Sequence, residues 1–220
     1  MRDETSISRR RFLVATGGVL AASTLLCGGV TVVGAQTPSI EFVHAECGRR
    51  PAMSKVLVAY ASKCGSTGEV AQAIAQSLCA QGMTVDVRRV DEVSDVAGYD
   101  AFVVGSAIRM GSWLGEAKRF VETNVATLRG APTAYFTVHM LNLDDSAESQ
   151  AARAAYVAPV HAIMQPQAEA FFAGKLDLDR MSFVDRMISK MMKANNEDKR
   201  DWAAIEAWAG ELLPQAKSAA

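Results

Sequence analysis

The sequence predicts an α/β fold, a doubly wound sheet of five parallel strands in the order 2-1-3-4-5 with an extra amphipathic helix near the C-terminus. Short continuous apolar runs alternate with segments of helical periodicity from residue 55 to residue 212. This alternation implies right-handed βαβ crossovers, and hence a parallel sheet covered on both faces. The second strand alternates apolar and polar residues, as an edge strand does, and the order 2-1-3-4-5 places it at an edge.

Residues 55–60 (KVLVAY) read as a strand buried on both faces, and Val70, Ile74 and Leu78 then recur at helical spacing. Residues 84–88 alternate and form the second strand; residues 101–104 are continuously apolar and form a central one. Trp113, Ala117, Phe120, Val121, Val125 and Leu128 line one helical face. Residues 134–138 make the fourth strand, 151–164 a helix and 168–173 the last strand; Trp202, Ile205, Trp208 and Leu212 give the closing helix its apolar face. The stretch from Leu176 to Asn196 is additional to a minimal five-strand fold.

Of the 220 residues 50% are apolar and 21% charged, enough for one globular domain and unlike a disordered chain or a coiled coil. Lys and Arg number 23 against 24 Asp and Glu, a balance that offers nucleic acid no general attraction. Cys27, Cys47, Cys64 and Cys79 are too irregularly placed for a disulfide scaffold, and none has zinc-ligand spacing, so no metal is expected.

The N-terminus reads as an address. Arg9, Arg10 and Arg11 precede a charge-free run to residue 40 that is apolar but diluted by Gly17, Gly18, Gly28, Gly29 and Gly34. Ser8-Arg-Arg-Arg-Phe-Leu13 looks like a twin-arginine export signal, with cleavage expected after Ala35. The alternative is a retained membrane anchor. The organisation is then a signal segment over 1–35, a linker over 36–53 and a single domain over 54–220. Export by this route carries folded proteins and suits a chain that loads a cofactor first. A translation start at Met53 would instead leave the protein in the cytoplasm.

Between the first strand and its helix lies Tyr60-Ala-Ser-Lys-Cys-Gly-Ser-Thr-Gly68. Backbone N–H groups at the helix start, with hydroxyls from Ser62, Ser66 and Thr67, favour a phosphate, and Gly65 permits close backbone approach. Lys63 can assist the phosphate or face water, and Cys64 is either a thiol poised at a helix start or a passive loop residue. The spacing fits neither a triphosphate loop nor a dinucleotide fingerprint. A single phosphate fits, unless Ser66 or Thr67 is simply an N-cap.

With this loop the chain resembles the flavodoxin family, whose first loop holds the phosphate of FMN; the resemblance implies a flavodoxin-like fold and an FMN cofactor. It also implies that the flavin ring lies at the carboxyl ends of the strands, against the loops after the third and fourth. There Ser106, Ala107, Ile108, Arg109 and Gly111 offer backbone groups to the ring, and Trp113 either stacks on it or packs in the core. Arg109 is a candidate for stabilising a reduced flavin or a substrate carboxylate, with a solvated arginine as the alternative. Thr137 and His139 line the second loop, and His139 is a candidate proton donor or a structural histidine.

Within that family the chain is most similar to the menaquinone-dependent protoporphyrinogen oxidases, over residues 55 to 213. The likeness rests on Gly105-Ser-Ala-Ile-Arg109 with Gly111, on Ala134-Tyr-Phe-Thr-Val138, and on Asp185-Arg-Met-Ile-Ser-Lys190 with Trp202 beyond. It implies FMN taking electrons from a reduced tetrapyrrole and passing them to a quinone. Residues 180–193, with a stripe of Met181, Val184, Met187, Ile188 and Met191, can make a peripheral membrane contact or an extra core helix. The segment Leu176-Asp-Leu-Asp179 departs from the aromatic and basic residues of that family, and export sits apart from haem synthesis. The alternative function is an exported electron carrier without its own substrate.

Overall fold

Every side chain from Val56 to Ala61 is buried, and the run therefore belongs in the middle of a sheet. In the computed structural model, which describes residues 42–47, 54–181, 186–187 and 195–212, this run is β2 (Lys55–Ala61), preceded by a short β1 (Ala45–Cys47). There follow α1 (Ser66–Ala80), β3 (Thr84–Arg89), β4 (Ala101–Arg109), β5 (Ser112–Trp113), α2 (Gly115–Thr123), α3 (Val125–Arg129) and β6 (Thr133–His139). The chain continues through α4 (Ala147–His161), β7 (Ala168–Ala173), β8 (Lys175–Leu176), a 3₁₀ turn at Leu178–Arg180, β9 (Glu197–Asp198) and α5 (Trp202–Glu211).

The main sheet runs β1-β3-β2-β4-β6-β7. Its five long strands are parallel to one another and stand in the expected order, with β3, β2, β4, β6 and β7 as strands 2, 1, 3, 4 and 5. One expectation is corrected: β3 is not an edge. Antiparallel β1 pairs along it, Ala45 opposite Val87 and Cys47 opposite Val85, so part of the stretch read as a linker is a strand of the sheet.

Successive residues of β2 point to opposite faces and enter two cores. Val56, Val58 and Tyr60 meet Val70, Ile74 and Leu78 of α1 and Ile205 and Ala209 of α5. Leu57 and Ala59 meet Phe120 and Val121 of α2, Leu128 of α3, and Val157 and Val160 of α4. The helical face predicted from Trp113 to Leu128 is in fact three pieces. Trp113 belongs to β5, and the helix breaks at Asn124, whose backbone N–H and side-chain amide both turn back to the Phe120 carbonyl.

The extra segment after β7 folds back on the domain. β8 and β9 pair antiparallel, and the Lys199 N–H donates to the Gly174 carbonyl. Arg180 and Arg200 from this segment both pair with Glu69 in the first turn of α1. Most of the helix expected over 180–193 lies outside the described residues, as do the signal segment 1–35 and Met53.

Candidate cofactor site

Parallel pairing brings the loops after β2, β4 and β6 to one end of the sheet. Ala61 lies opposite Ser106, and Ser106 opposite Thr137, so the segments that follow leave the sheet side by side. A ligand bound there meets the switch point of a doubly wound sheet.

The loop after β2 closes on itself and leaves donors over. Ser62 is buried, and its Oγ accepts from the Gly65 N–H at 3.0 Å, tightening the turn. Gly65 stands at the N-cap of α1 with φ 91°, a left-handed conformation that a side chain resists, and its carbonyl accepts from Gly68 and Glu69. No side chain caps the helix, so neither Ser66 nor Thr67 is the N-cap that sequence left open. Thr67 is wholly buried, yet its Oγ1 has no hydrogen-bond partner. A buried hydroxyl without a partner costs about 1–3 kcal/mol, and a phosphate oxygen at this helix start would remove that cost. The loop therefore fits the phosphate of FMN.

Lys63 reaches away from this group. Its Nζ lies 2.6 Å from the Glu116 carboxylate at the start of α2, tying the two loops together. Burial tends to raise the Glu116 pKa, but the hydrogen bond and charge of Lys63, the residue's own backbone N–H and the nearby Arg119 together outweigh it, and the carboxyl stays below its usual value. Cys64 is half-buried beside Gly65.

On the ring side the donors are largely consumed. Ser106 is fully buried; its Oγ accepts from the Leu114 N–H at 3.0 Å and donates to the Ala107 carbonyl at 2.8 Å. Ala107 and Ile108 continue β4, and the expected open loop is a tight hairpin, with Ile108 opposite Trp113 and Arg109 opposite Ser112. Met110 and Gly111 turn it with φ values of 51° and 72°, the signs of a type I′ turn. Arg109 stands exposed at the end of β4, and Met110 beside it is 98% exposed.

Trp113 is corrected from a ring-stacking residue to a core residue. Only 2% of it is exposed, its Nε1 donates to Thr137 Oγ1 at 2.8 Å, and its ring meets Tyr135 at 5.0 Å. Thr137 is thereby also structural. His139 is corrected likewise. It is 5% exposed, and its Nδ1 donates to the Leu141 carbonyl at 2.6 Å, since a carbonyl can only accept. Burial holds its pKa below the ordinary histidine value, so the ring is neutral and its one proton is engaged. That is a poor proton donor to a ligand.

Sequence reasoning missed Ser112, whose buried Oγ also lacks a partner and stands on the ring-side hairpin. The interleaved pattern of the hairpin carried no signal for it. It missed Glu69 too, which gathers Arg180 and Arg200 beside the phosphate loop; Arg200 lies in turn 4.5 Å from the Trp202 ring. Among the described residues no group of His, Cys, Asp and Glu is arranged to hold a metal ion, and no helix is long and apolar enough to cross a membrane.

A family model described as a flavodoxin domain matches residues 57–202. Protoporphyrinogen IX dehydrogenase (quinone) of Escherichia coli (strain K12) is 25% identical over 170 residues, 72% of this chain and 94% of that protein. NAD(P)H dehydrogenase (quinone) of Cupriavidus metallidurans is 36% identical over 92 residues, 32% of this chain and 46% of that protein. Among solved structures, a flavodiiron core from Synechocystis sp. aligns with a TM-score of 0.50 at 12% identity, covering 77% of this chain and 38% of that one.

Proposed function

The chain belongs to the flavodoxin domain family, and from that premise we propose that it is an FMN-dependent oxidoreductase carrying electrons from a reduced organic substrate to a quinone. The observation that carries the cofactor is the buried, unpartnered Thr67 hydroxyl at an uncapped helix start. The quinone is supported by the relatives named above, both of which are quinone-dependent dehydrogenases by name. A reduced tetrapyrrole is the proposed substrate.

When bound, FMN supplies the redox chemistry, accepting electrons from one partner and releasing them to the other. The protein's part is to hold and orient. Backbone amides of Ser66 and Thr67 and the Thr67 hydroxyl anchor the phosphate, with the positive end of α1 behind them. Ile108, Arg109 and Gly111 would present backbone to the ring from the hairpin, and the Ser112 hydroxyl would be a side-chain donor there. Arg109 is the cation proposed to meet a reduced flavin or a substrate carboxylate.

Location is part of the proposal. The twin-arginine pattern of residues 8–13 directs a folded, loaded protein out of the cytoplasm, and the disulfide between Cys47 and Cys79 suits an oxidising compartment. Residues 180–193 are the proposed contact with the membrane that holds the quinone.

The test is anaerobic mixing of the FMN-loaded full chain with protoporphyrinogen, followed by a menaquinone analogue. Bleaching of the flavin band and its recovery on adding quinone is the expected result. A protein that keeps FMN yet is not bleached would overturn the substrate and favour an exported electron carrier. One that takes up no FMN would overturn the whole reading.

A further inference from the structure

The N-terminal strap, residues 42–47, is held at both ends. At one end Cys47 forms a disulfide with Cys79 in the last turn of α1, their Cα atoms 6.0 Å apart and 32 residues apart in sequence. At the other, Phe42 packs under the Arg89 guanidinium, 3.9 Å from ring centre to carbon, and the Val43 carbonyl accepts from the Tyr60 hydroxyl at 3.0 Å. Between them β1 pairs with β3 over three residues, and Glu46 and His44 reach Arg88 and Glu92 as surface pairs.

These contacts are unequal. Three residues of antiparallel pairing cannot fix a strand, and exposed ion pairs contribute little. The covalent bond is the one contact that outlasts local opening. Tyr60 carries its effect onward. Its side chain is buried, and its ring lies 2.9 Å from where a Cβ on Gly68 would stand, so it fills the space between the strap and the first turn of α1. Strap, tyrosine and phosphate loop form one packed column.

We propose that Cys47 and Cys79 are a redox modification site, a staple that locks the 42–47 strap onto the sheet edge and braces the start of α1 through Tyr60. Both sulfurs belong to half-buried residues, within reach of an oxidant after the domain has folded. The oxidant is a thiol–disulfide oxidoreductase. One cysteine thiolate attacks its disulfide, the second cysteine resolves the mixed disulfide, and the two electrons and two protons leave on the oxidoreductase as a dithiol. Cys64, beside the phosphate loop, stays a thiol. The inference stands apart from the flavin assignment, because its readout is the backbone.

The experiment takes the full chain, reduced with dithiothreitol or oxidised with glutathione disulfide, through non-reducing peptide mapping and hydrogen exchange. The expected map links Cys47 to Cys79. Amides of Thr84–Arg89 and of Gly68 and Glu69 should exchange about tenfold more slowly in the oxidised form. A Cys47→Ser, Cys79→Ser double variant should match the reduced wild type and ignore glutathione disulfide. Pairing through Cys27 or Cys64 instead, or equal exchange in the two redox forms of the wild-type chain, would overturn the proposal.

Discussion

The phosphate side and the ring side of the site use similar residues to opposite ends. After β2, Thr67 is buried with its hydroxyl unpaired and the helix behind it uncapped. After β4 and β6, Ser106 and Thr137 are just as buried, yet each hydroxyl is spent on the protein, one closing the turn at Leu114 and the other holding Trp113. A hydroxyl in a loop at a strand end is therefore not by itself a ligand contact. What separates the two sides is whether the oxygen already has a partner.

The largest effect that would test this contrast comes from Gly65→Glu combined with Thr67→Val. The first places a charged side chain at a left-handed position facing the phosphate, and the second removes the donor. FMN retention should be abolished, and full occupancy measured by flavin absorbance after gel filtration would break the assignment. Thr67→Val alone should weaken FMN binding about 10-fold or more, the loss of one charge-assisted hydrogen bond. Its melting temperature should hold or rise, because an unpaired buried oxygen is lost; calorimetric titration and a thermal melt read the two.

Thr137→Val should do the reverse. It strands the buried Trp113 N–H and costs about 1–3 kcal/mol in urea unfolding, with FMN affinity within about twofold of wild type. Ser112→Ala sharpens the comparison on the ring side itself. Its hydroxyl is unpaired like that of Thr67, so stability should be unchanged while FMN dissociates faster in stopped flow.

The smallest effect concerns pH. His139 has a depressed pKa in the folded state, so between that value and the ordinary value near 6.5 the unfolded chain binds more protons. Its contribution to stability is complete above that window and is lost as pH falls through it. His139→Asn should flatten that part of the stability profile in melts between about pH 7.5 and 5. An unchanged slope would show that other groups set it.

The sequence announced the strands because the parallel sheet demands it. Residues 56–61 and 133–139 are buried on both faces, and strands so placed read as mainly apolar runs. The phosphate loop was readable for a related reason: a strand, a tight turn and a helix start are local, and Gly65 marks the left-handed turn in plain view. β1 was not readable, since three residues of unremarkable composition become a strand only through the partner that β3 supplies. Trp113 defeated the reading because its helical spacing to Ala117 and Phe120 is real, while the φ values at Met110 and Gly111 fold it into a hairpin first. The pairing of Thr137 with Trp113, and of His139 with the Leu141 carbonyl, is tertiary or loop geometry that residue types do not encode. In each case what was missed was which group would take up a donor.

β1 also changes how the molecule meets its own copies. It replaces β3 as the outermost strand at one margin of the sheet, as β7 is at the other, and among the described residues each pairs on one side only. A three-residue edge presents few unpaired N–H and C=O groups to another strand, whereas the six residues of β7 present a longer row. The short strand Ala45–Cys47 therefore blunts its margin of the sheet against edge-to-edge pairing.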